Sequence, residues 1–282
     1  MSGFARVTER VQQQLIEWLR SIPLVRTMAR GLVKGRWVTI PSGQGAGLRF
    51  HPGESNPAYA LGTNEMPVQE AFARRLKPGD VFFDIGANVG FFTVIGARLV
   101  GANGFVYAFE PLPENVQRAR ANVEANAFSN VRILDAAVSD HSGMGELMVA
   151  DYVGGSALAT AERPPDVKGV LPVRLVTIDE LVAQNEIRPP QVVKIDVEGA
   201  EIEVLRGMAH TLDTCRPVVV FEIDDQAQDA YDLKYKTCLA FLEQHGYQVS
   251  ALENSYPGAG WVVGNYVAEP AASDQANRAA SE

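Results

Sequence analysis

The chain has 282 residues, of which 46% are hydrophobic and 21% are charged, as in an ordinary soluble globular protein. This length suits one large α/β domain with extra elements at its ends and does not require a second domain. The net charge of -9 disfavours nucleic acid as a partner, because a polyanion would be repelled.

The first 37 residues differ from the rest of the chain, because they carry seven basic side chains and two acidic ones. Apolar spacing predicts a helix over residues 11–19, which Pro23 ends, and a second helix over residues 24–32. We expect this arm to pack on the main domain or on a second subunit. The alternative is peripheral contact with an anionic membrane surface.

Two features favour a cytoplasmic location. Arg6, Glu9 and Arg10 lie where a signal peptide needs an apolar run, and no stretch approaches the roughly 18 apolar residues of a membrane span. The only cysteines, Cys215 and Cys238, fit a reducing compartment and form no disulfide or zinc pattern.

After the arm, the sequence predicts a short hairpin (37–50) and a helix (67–76). The most informative stretch follows at residues 81–90. Residues 81–85 predict a buried parallel strand, and residues 91–99 predict a helix packed back onto it. The turn between them contains Gly86, Asn88 and Gly90. Such a turn should leave backbone N–H groups at the helix N-terminus unpartnered and let a ligand approach the main chain, which predicts a nucleotide-like ligand.

Asp84, at the end of that strand, indicates which kind of nucleotide-like ligand binds. A carboxylate disfavours a pyrophosphate and suits a cation such as the amino group and sulfonium of S-adenosylmethionine. About twenty residues after Gly90, the predicted strand 105–109 ends at Glu110, whose carboxylate can accept both hydroxyls of a ribose. After a helix from Pro113 to Asn126, the third strand (131–134) would place Asp135 and Ala136 beside the adenine.

Further carboxylates follow at the ends of later strands. Strands are predicted over residues 143–149 and 170–176, joined by a loop at 154–158 that either closes on substrate or is a plain turn. A short helix (178–185) leads to strand 192–196, where Lys194 and Asp196 share one side. Glu198 and Glu201 can complement a helix dipole, but an ionised Asp196 on a buried strand is costly unless paired.

The chain ends in a pattern of strand, helix, strand, strand. Strand 218–223 carries Glu222, a helix spans 231–245, and strands 247–252 and 261–267 close the sheet. Ending in two strands is characteristic of the methyltransferase version of this sheet, in which the last strand inserts antiparallel. The small polar residues from 269 to 282 predict a disordered tail.

With these residues placed, the chain resembles the FkbM family of S-adenosylmethionine-dependent methyltransferases. The markers are Asp-Ile-Gly-Ala-Asn-Val-Gly at 84–90, Glu-Pro at 110–111, Lys-Ile-Asp-Val-Glu-Gly-Ala-Glu at 194–201 and Phe-Glu at 221–222. The resemblance covers residues 65–267. It implies a Rossmann-like, doubly wound α/β sheet of seven mostly parallel strands, with the N-terminal arm and hairpin (1–64) as an extension to a methyltransferase domain (65–268).

The resemblance also implies O-methylation of a hydroxyl on a sugar, glycolipid or polyketide-type molecule. It assigns Asp84 and Gly86 to the methionine half of the cofactor and Glu110 to its ribose, but it does not identify the base. We predict Asp196 as base or substrate anchor, with Lys194 and Glu198 shaping its ionisation and Glu222 nearby.

Several alternatives remain open from the sequence. A divalent metal bridging Asp196 and Glu222 is not expected, although oxygen ligands suit Mg²⁺. His141 is a second candidate base, but a lone loop histidine is more often an exposed one. A nicotinamide-dependent oxidoreductase shares the strand, glycine turn and distal carboxylate, yet Asp84 and the missing third glycine disfavour it. The last alternative is a catalytically silent module of the same fold.

Overall fold

The structure is a computed structural model that describes residues 35–150, 157–158, 167–256 and 260–271. In these residues the strands are β1 (Val38–Thr39), β2 (Arg49–Phe50), β3 (Val81–Ile85), β4 (Phe105–Phe109), β5 (Val131–Leu134), β6 (Ala137–Val138), β7 (Gly143–Ala150), β8 (Ala157–Leu158), β9 (Val167–Val176), β10 (Val192–Ile195), β11 (Val218–Asp225), β12 (Tyr247–Ala251) and β13 (Val262–Pro270). The helices are α1 (Pro57–Leu61), α2 (Met66–Arg75), α3 (Phe91–Val100), α4 (Pro113–Ala125), α5 (Ile178–Ala183), α6 (Glu201–Arg206), α7 (Ala209–Cys215) and α8 (Gln228–Gln244). The predicted helices 11–19 and 24–32 and most of the predicted tail lie outside the described residues.

The predicted seven-stranded sheet is confirmed. Its strands lie in the order β12, β13, β11, β10, β3, β4, β5. Strands β11, β10, β3, β4 and β5 are parallel to their neighbours in this series, and β13 runs antiparallel between β11 and β12. The order reverses between β3 and β10, and ligands of open α/β sheets bind outside the carboxyl ends of the strands at such a point.

The central strands are buried on both faces, which explains their continuous apolar sequences. All five residues of β3 and all four of β10 are buried. Phe83 and Ile85 point into the apolar cluster that contains α6 and α8, while Phe82 points into the cluster on the opposite face with Phe72 and Phe91. The helices therefore cover the sheet on both sides, as the doubly wound prediction requires.

The predicted hairpin near the start of the chain is confirmed, and it packs on the main domain. β1 and β2 pair antiparallel, and Ile40 and Phe50 are buried in the cluster that also holds Phe72. The fully buried Asn122 of α4 accepts a hydrogen bond from His51 N–H and donates one to the Val89 carbonyl. The described part of residues 1–64 is thus integral to the core, and a boundary at residue 64 stays a prediction.

A second, four-stranded sheet lies in the connection between β5 and β10. Its order is β6, β9, β7, β8, which confirms the strands predicted at 143–149 and 170–176. Ala157 and Leu158, from the predicted loop, pair with β7, while residues 154–156 lie outside the described part of the chain. The sequence did not indicate β6, α1 or α7, which are two, five and seven residues long.

Candidate active site

The loop between β3 and α3 has acceptors for most of its own backbone N–H groups. The N–H groups of Gly86 and Ala87 donate to the Phe109 carbonyl, and Gly90 N–H donates to the Ala87 carbonyl. Asn88 N–H donates to the Glu110 carboxylate at 2.7 Å. Strand β4 and the acidic residue after it thus supply acceptors for the first three N–H groups of the turn, while the predicted unpartnered N–H groups at the start of α3 stay a prediction.

The two glycines of this loop are required by the protein's own packing. Gly86 has a φ of +78°, and a Cβ there would lie 1.7 Å from the carbonyl oxygen of Asp196. Gly90 has a φ of +84°, and its Cβ would lie 3.0 Å from the Cβ of Ala119 in α4. Both positions therefore need glycine before any ligand is considered.

Glu110 lies where the predicted ribose contact should be. Its carboxylate is 6% exposed and accepts hydrogen bonds from the N–H groups of Asn88 and Leu112. Burial raises its pKa from 4.5 to about 7, against the opposing effect of those two hydrogen bonds. Oε1 also accepts a hydrogen bond from the Asn115 amide at 3.4 Å, so Oε2 is the oxygen with a lone pair left for a ribose hydroxyl.

Glu110 lines a cavity at the carboxyl edge of the sheet. The lining residues are Ile85, Gly86, Asn88, Phe109, Glu110, Pro111, Asn115, Ala136, Ala137, Val138, Leu147, Leu158, Asp196, Val197 and Glu198. Ala136 thus lies where the adenine contact was predicted. Asp135 lines no part of this cavity, and its carboxylate forms a half-exposed ion pair with Arg120 at 2.5 Å.

Asp84 is completely buried, so a ligand cannot reach it directly without rearrangement. Its Oδ2 accepts a hydrogen bond from the Thr93 hydroxyl at 2.5 Å, and its Oδ1 lies 3.9 Å from the Lys194 ammonium. Burial raises the pKa of Asp84, and Lys194 and Thr93 oppose that rise. The geometry assigns Asp84 to holding Lys194 and leaves the expected contact with the cofactor without support.

Lys194 is paired to carboxylates on two sides. It lies beside Asp84 in the register of β10 and β3, and its ammonium is 2.9 Å from Asp196 Oδ2. Burial lowers the pKa of Lys194, but the carboxylates of Asp196, Asp84 and Glu65 outweigh burial and raise it overall. The side chain is therefore a permanent cation, and it also lies 5.2 Å from the centre of the Phe92 ring.

The predicted catalytic carboxylates gather at the ends of β10 and β11. Asp196 and Glu198 line the cavity, and Glu222 accepts a hydrogen bond from the Asn265 amide at 3.0 Å. Burial, then Asp196 and Glu65, raise the pKa of Glu222. Burial, then Asp224 and Asp196, raise the pKa of Glu198, whose φ of +57° places its backbone in the left-handed region.

Two other candidates have local partners. Glu201 lies in the first turn of α6, where the helix-dipole alternative places it, and it accepts a hydrogen bond from Gly199 N–H at 2.9 Å. His141 has a side chain that is 59% exposed and contacts Asp140 at 2.7 Å. Within the described residues, no group of three or more His, Cys, Asp and Glu side chains is arranged to hold a metal ion.

The sequence did not reveal the pair formed by Glu65 and Tyr256. The Tyr256 hydroxyl donates to Glu65 Oε1 at 2.6 Å across 191 residues of sequence. Glu65 contributes to the raised pKa values of Glu222 and Lys194, and Glu222 contributes to the raised pKa of Tyr256. No local pattern marks such a contact, because Tyr256 lies in the irregular connection between β12 and β13.

Comparison with known proteins identifies the family. The model described as "Methyltransferase FkbM domain" matches residues 84–249, which is more than half of the chain. The chain therefore belongs to the FkbM family of S-adenosylmethionine-dependent methyltransferases. This assignment disfavours the nicotinamide-dependent oxidoreductase, since the matched stretch begins at Asp84 and includes the whole Lys194–Glu201 segment.

Two curated relatives support the assignment. The hexuronic acid methyltransferase AglP of Haloferax volcanii is 30% identical over 156 residues, which are 55% of this chain and 61% of AglP. The 31-O-demethyl-FK506 methyltransferase FkbM of Streptomyces tacrolimicus is 29% identical over 203 residues, 62% of this chain and 75% of the relative. The chain thus spans less than two thirds of AglP.

A solved methyltransferase FkbM from Methylobacillus flagellatus is 16% identical, with a TM-score of 0.44 over 75% of this chain and 52% of that one. The described helices of the FkbM-family chain include none that is both long enough and apolar enough to cross a membrane.

The site of this FkbM-family methyltransferase fits an adenosyl sulfonium. Apolar side chains such as Ile85, Val138 and Leu158 line the cavity together with the carboxylate of Glu110, matching a purine and a ribose diol. The carboxylate of Asp196, which also lines the cavity, matches a positively charged group. The donor set therefore agrees with the cofactor that the family uses.

Proposed function

We propose that this FkbM-family enzyme methylates a hydroxyl oxygen on a sugar, glycolipid or polyketide-type small molecule. The observation that carries the proposal is Asp196. It lines the cavity that contains Glu110, and its carboxylate is fixed at 2.9 Å by the buried, protonated Lys194. An oriented carboxylate beside a nucleoside cradle is what proton removal from an acceptor hydroxyl needs.

In this proposal, Glu110 accepts a ribose hydroxyl, and the apolar wall around Ala136 holds the base. When bound, S-adenosylmethionine supplies a methyl group activated by positively charged sulfur. The protein supplies position, since well-oriented intramolecular reactions reach effective molarities of about 10⁵ M and above.

Asp196 has one oxygen engaged and one available. Oδ2 accepts the Lys194 hydrogen bond, while Oδ1 accepts no hydrogen bond from a residue that the structure describes. We assign Oδ1 the role of taking the hydroxyl proton as the C–O bond forms, which typically contributes about a hundredfold to ten-thousandfold. Glu198 and Glu222 flank this point, and their raised pKa values favour neutral forms that can donate a hydrogen bond to the acceptor.

The names of the relatives support an oxygen-bearing small molecule as acceptor. One relative is named for a hexuronic acid and the other for 31-O-demethyl-FK506.

For residues 1–37 we retain the proposal that they contact a second subunit or an anionic membrane. Deleting them should change sedimentation or liposome binding, and no change in either would contradict both alternatives.

Two measurements test the proposed activity. Calorimetric titration should show binding of S-adenosylhomocysteine and no response to NADH; the reverse result would support the oxidoreductase. Radiolabel from the methyl group should pass into a small molecule of a cell extract. Asp196→Asn should reduce that transfer at least a hundredfold while cofactor affinity stays within about threefold.

The exposed Asp229, in the first turn of α8, provides a matched control. Asp229→Asn should retain full transfer, because its carboxylate lies on the surface. Binding of S-adenosylhomocysteine without any transfer by the native chain would favour the catalytically silent module.

A further inference from the structure

Glu65 has a backbone conformation that is uncommon for a residue with a side chain. It immediately precedes α2 with a φ of +44°, and its carboxylate makes no hydrogen bond that caps this helix. Glu65 is only 6% exposed. Left-handed backbone at a non-glycine residue concentrates at functional sites, so the role of this side chain needs an explanation.

The Glu65 carboxylate is held firmly by one oxygen. Oε1 accepts hydrogen bonds from the Tyr256 hydroxyl at 2.6 Å and from the Asn64 amide at 2.7 Å. Oε2 accepts no hydrogen bond from any residue in the described ranges. The side chain is therefore oriented by its neighbours and retains one oxygen for a ligand.

The charges around Glu65 leave negative charge in excess. Asp196 and Lys194 are the charged groups that act on it most strongly. The ammonium of Lys194 lies within ion-pair distance of Asp84 and Asp196, however, and Glu65 forms no ion pair within the described part of the chain. Burial, then Asp196, therefore raise the pKa of Glu65, and a cationic ligand would favour its ionised carboxylate and offset the cost of burying it.

We propose that Glu65 binds the α-ammonium of the methionyl group of S-adenosylmethionine, and that Tyr256 positions it. The inference rests on the proposed function, since it concerns the same cofactor. Asp196 connects the cavity that contains Glu110 with the surroundings of Glu65, because it lines that cavity and is the charged group that acts most strongly on Glu65. In this proposal, a cofactor with its ribose on Glu110 directs its methionyl end past Asp196 towards Glu65.

In this proposal, Glu65 takes the role that the sequence analysis gave to Asp84, which is to provide a negative charge for the methionyl end of the cofactor. The carboxylate of Asp84 is fully buried and committed to Thr93 and Lys194, whereas Glu65 retains an unused oxygen. A hydroxyl of the acceptor is the other donor that Glu65 can bind, and the experiment below distinguishes the two ligands.

The test compares two ligands that share adenosine and a thioether. S-adenosylhomocysteine carries the α-ammonium, and 5′-methylthioadenosine lacks the whole amino-acid end. Calorimetric titration of Glu65→Gln should show about tenfold to a hundredfold weaker binding of S-adenosylhomocysteine, the range for a lost charge-assisted hydrogen bond. Binding of 5′-methylthioadenosine should stay within about twofold.

Glu70, in the helix α2 that follows Glu65, gives a matched control. Its side chain is 54% exposed and pairs with Arg74, so Glu70→Gln should bind both ligands as the native chain does. Tyr256→Phe is a second variant that keeps the charge of Glu65 and removes one donor. It should weaken S-adenosylhomocysteine about threefold to tenfold and leave 5′-methylthioadenosine unchanged.

The outcomes separate this inference from the proposed function. If the native chain binds no S-adenosylhomocysteine, the proposed function fails. If the native chain binds it and Glu65→Gln or Tyr256→Phe binds it equally well, the inference is overturned. An equal loss of both ligands also overturns it, as does unchanged S-adenosylhomocysteine affinity with reduced methyl transfer, which would assign Glu65 to the acceptor.

Discussion

The carbonyl oxygen of Asp196 occupies the space that a β-carbon on Gly86 would need. The two atoms would lie 1.7 Å apart, and Asp196 N–H donates to the carbonyl of Ile85, the residue before Gly86. The turn after β3 and the end of β10 are thus in direct backbone contact. The loop beside Glu110 and the proposed base therefore share one rigid support.

Gly86→Ala should disrupt this support. The added methyl group must displace the Asp196 carbonyl, and the left-handed backbone at a φ of +78° costs about 1–2 kcal/mol more for alanine. We expect S-adenosylhomocysteine affinity to fall at least tenfold and the free energy of unfolding to fall by about 2 kcal/mol or more. Calorimetric and urea titrations measure these two quantities.

Gly79→Ala is the control for backbone strain alone. Gly79 has a φ of +99°, but a Cβ there meets no atom within 4 Å. It should lose stability comparable to the left-handed penalty while retaining cofactor affinity. Equal affinity losses in the two variants would contradict the argument from the Asp196 contact.

Lys194→Met should be strongly destabilising at neutral pH. The ammonium lies 2.9 Å from Asp196 and 3.9 Å from Asp84, which is fully buried. Removing one partner of a buried ion pair typically costs about 3–5 kcal/mol, because the remaining charge is uncompensated. Urea titrations at several pH values measure the difference from the native chain.

The pH dependence of that difference has a definite sign. Without Lys194, the pKa of Asp84 rises further above the value in the unfolded chain, so the folded variant takes up a proton as pH falls. The deficit should therefore shrink as the pH falls below neutrality towards the pKa of Asp84 in the unfolded chain. Adding Asp84→Asn to the variant should recover part of the loss at pH 7, and an additive loss would contradict the pairing.

The sequence predicted the sheet well because its signals are local. The apolar residues of β3 and β10 mark strands buried on both faces, and the family markers agree with that order. The partners of the turn around Gly86 could not be predicted, since the acceptors come from Phe109 and Glu110 on another strand. The short elements α1 and β6 carry too few residues to show a period.

The part of the candidate site that depends on local signals could also be predicted from the sequence. Residues at strand ends, such as Glu110 and Asp196, follow from the parallel topology. The complete burial of Asp84 depends on packing around it, and the Tyr256–Glu65 contact joins an irregular segment to the start of α2. Neither is a property of residue spacing.

Stability of the ligand-free chain should fall as pH rises through 7. The pKa of Glu110 is raised from 4.5 to about 7 by burial, and that of Glu201 also rises to about 7. An acid whose pKa is raised by folding keeps its proton to a higher pH in the folded state than in the unfolded chain. Its contribution to the free energy of unfolding is therefore fully present below about pH 4.5 and is lost as the pH rises to about 7. Urea titrations from pH 5 to 8 should show this decrease, and Glu110→Gln should show a shallower one.

Binding of the adenosine part should have the opposite pH dependence. Ribose hydroxyls donate hydrogen bonds, so the ionised form of Glu110 accepts them better than the neutral acid, and its pKa of about 7 places this change near neutrality. We expect the affinity for 5′-methylthioadenosine to increase by up to about tenfold between pH 6 and pH 8, the change that the ionised fraction of such a group allows. This ligand has no α-ammonium, so titration of Glu65 contributes little. Glu110→Gln should bind more weakly at pH 8 and show a flat profile, and a profile as steep as that of the native chain would assign the titration to another group.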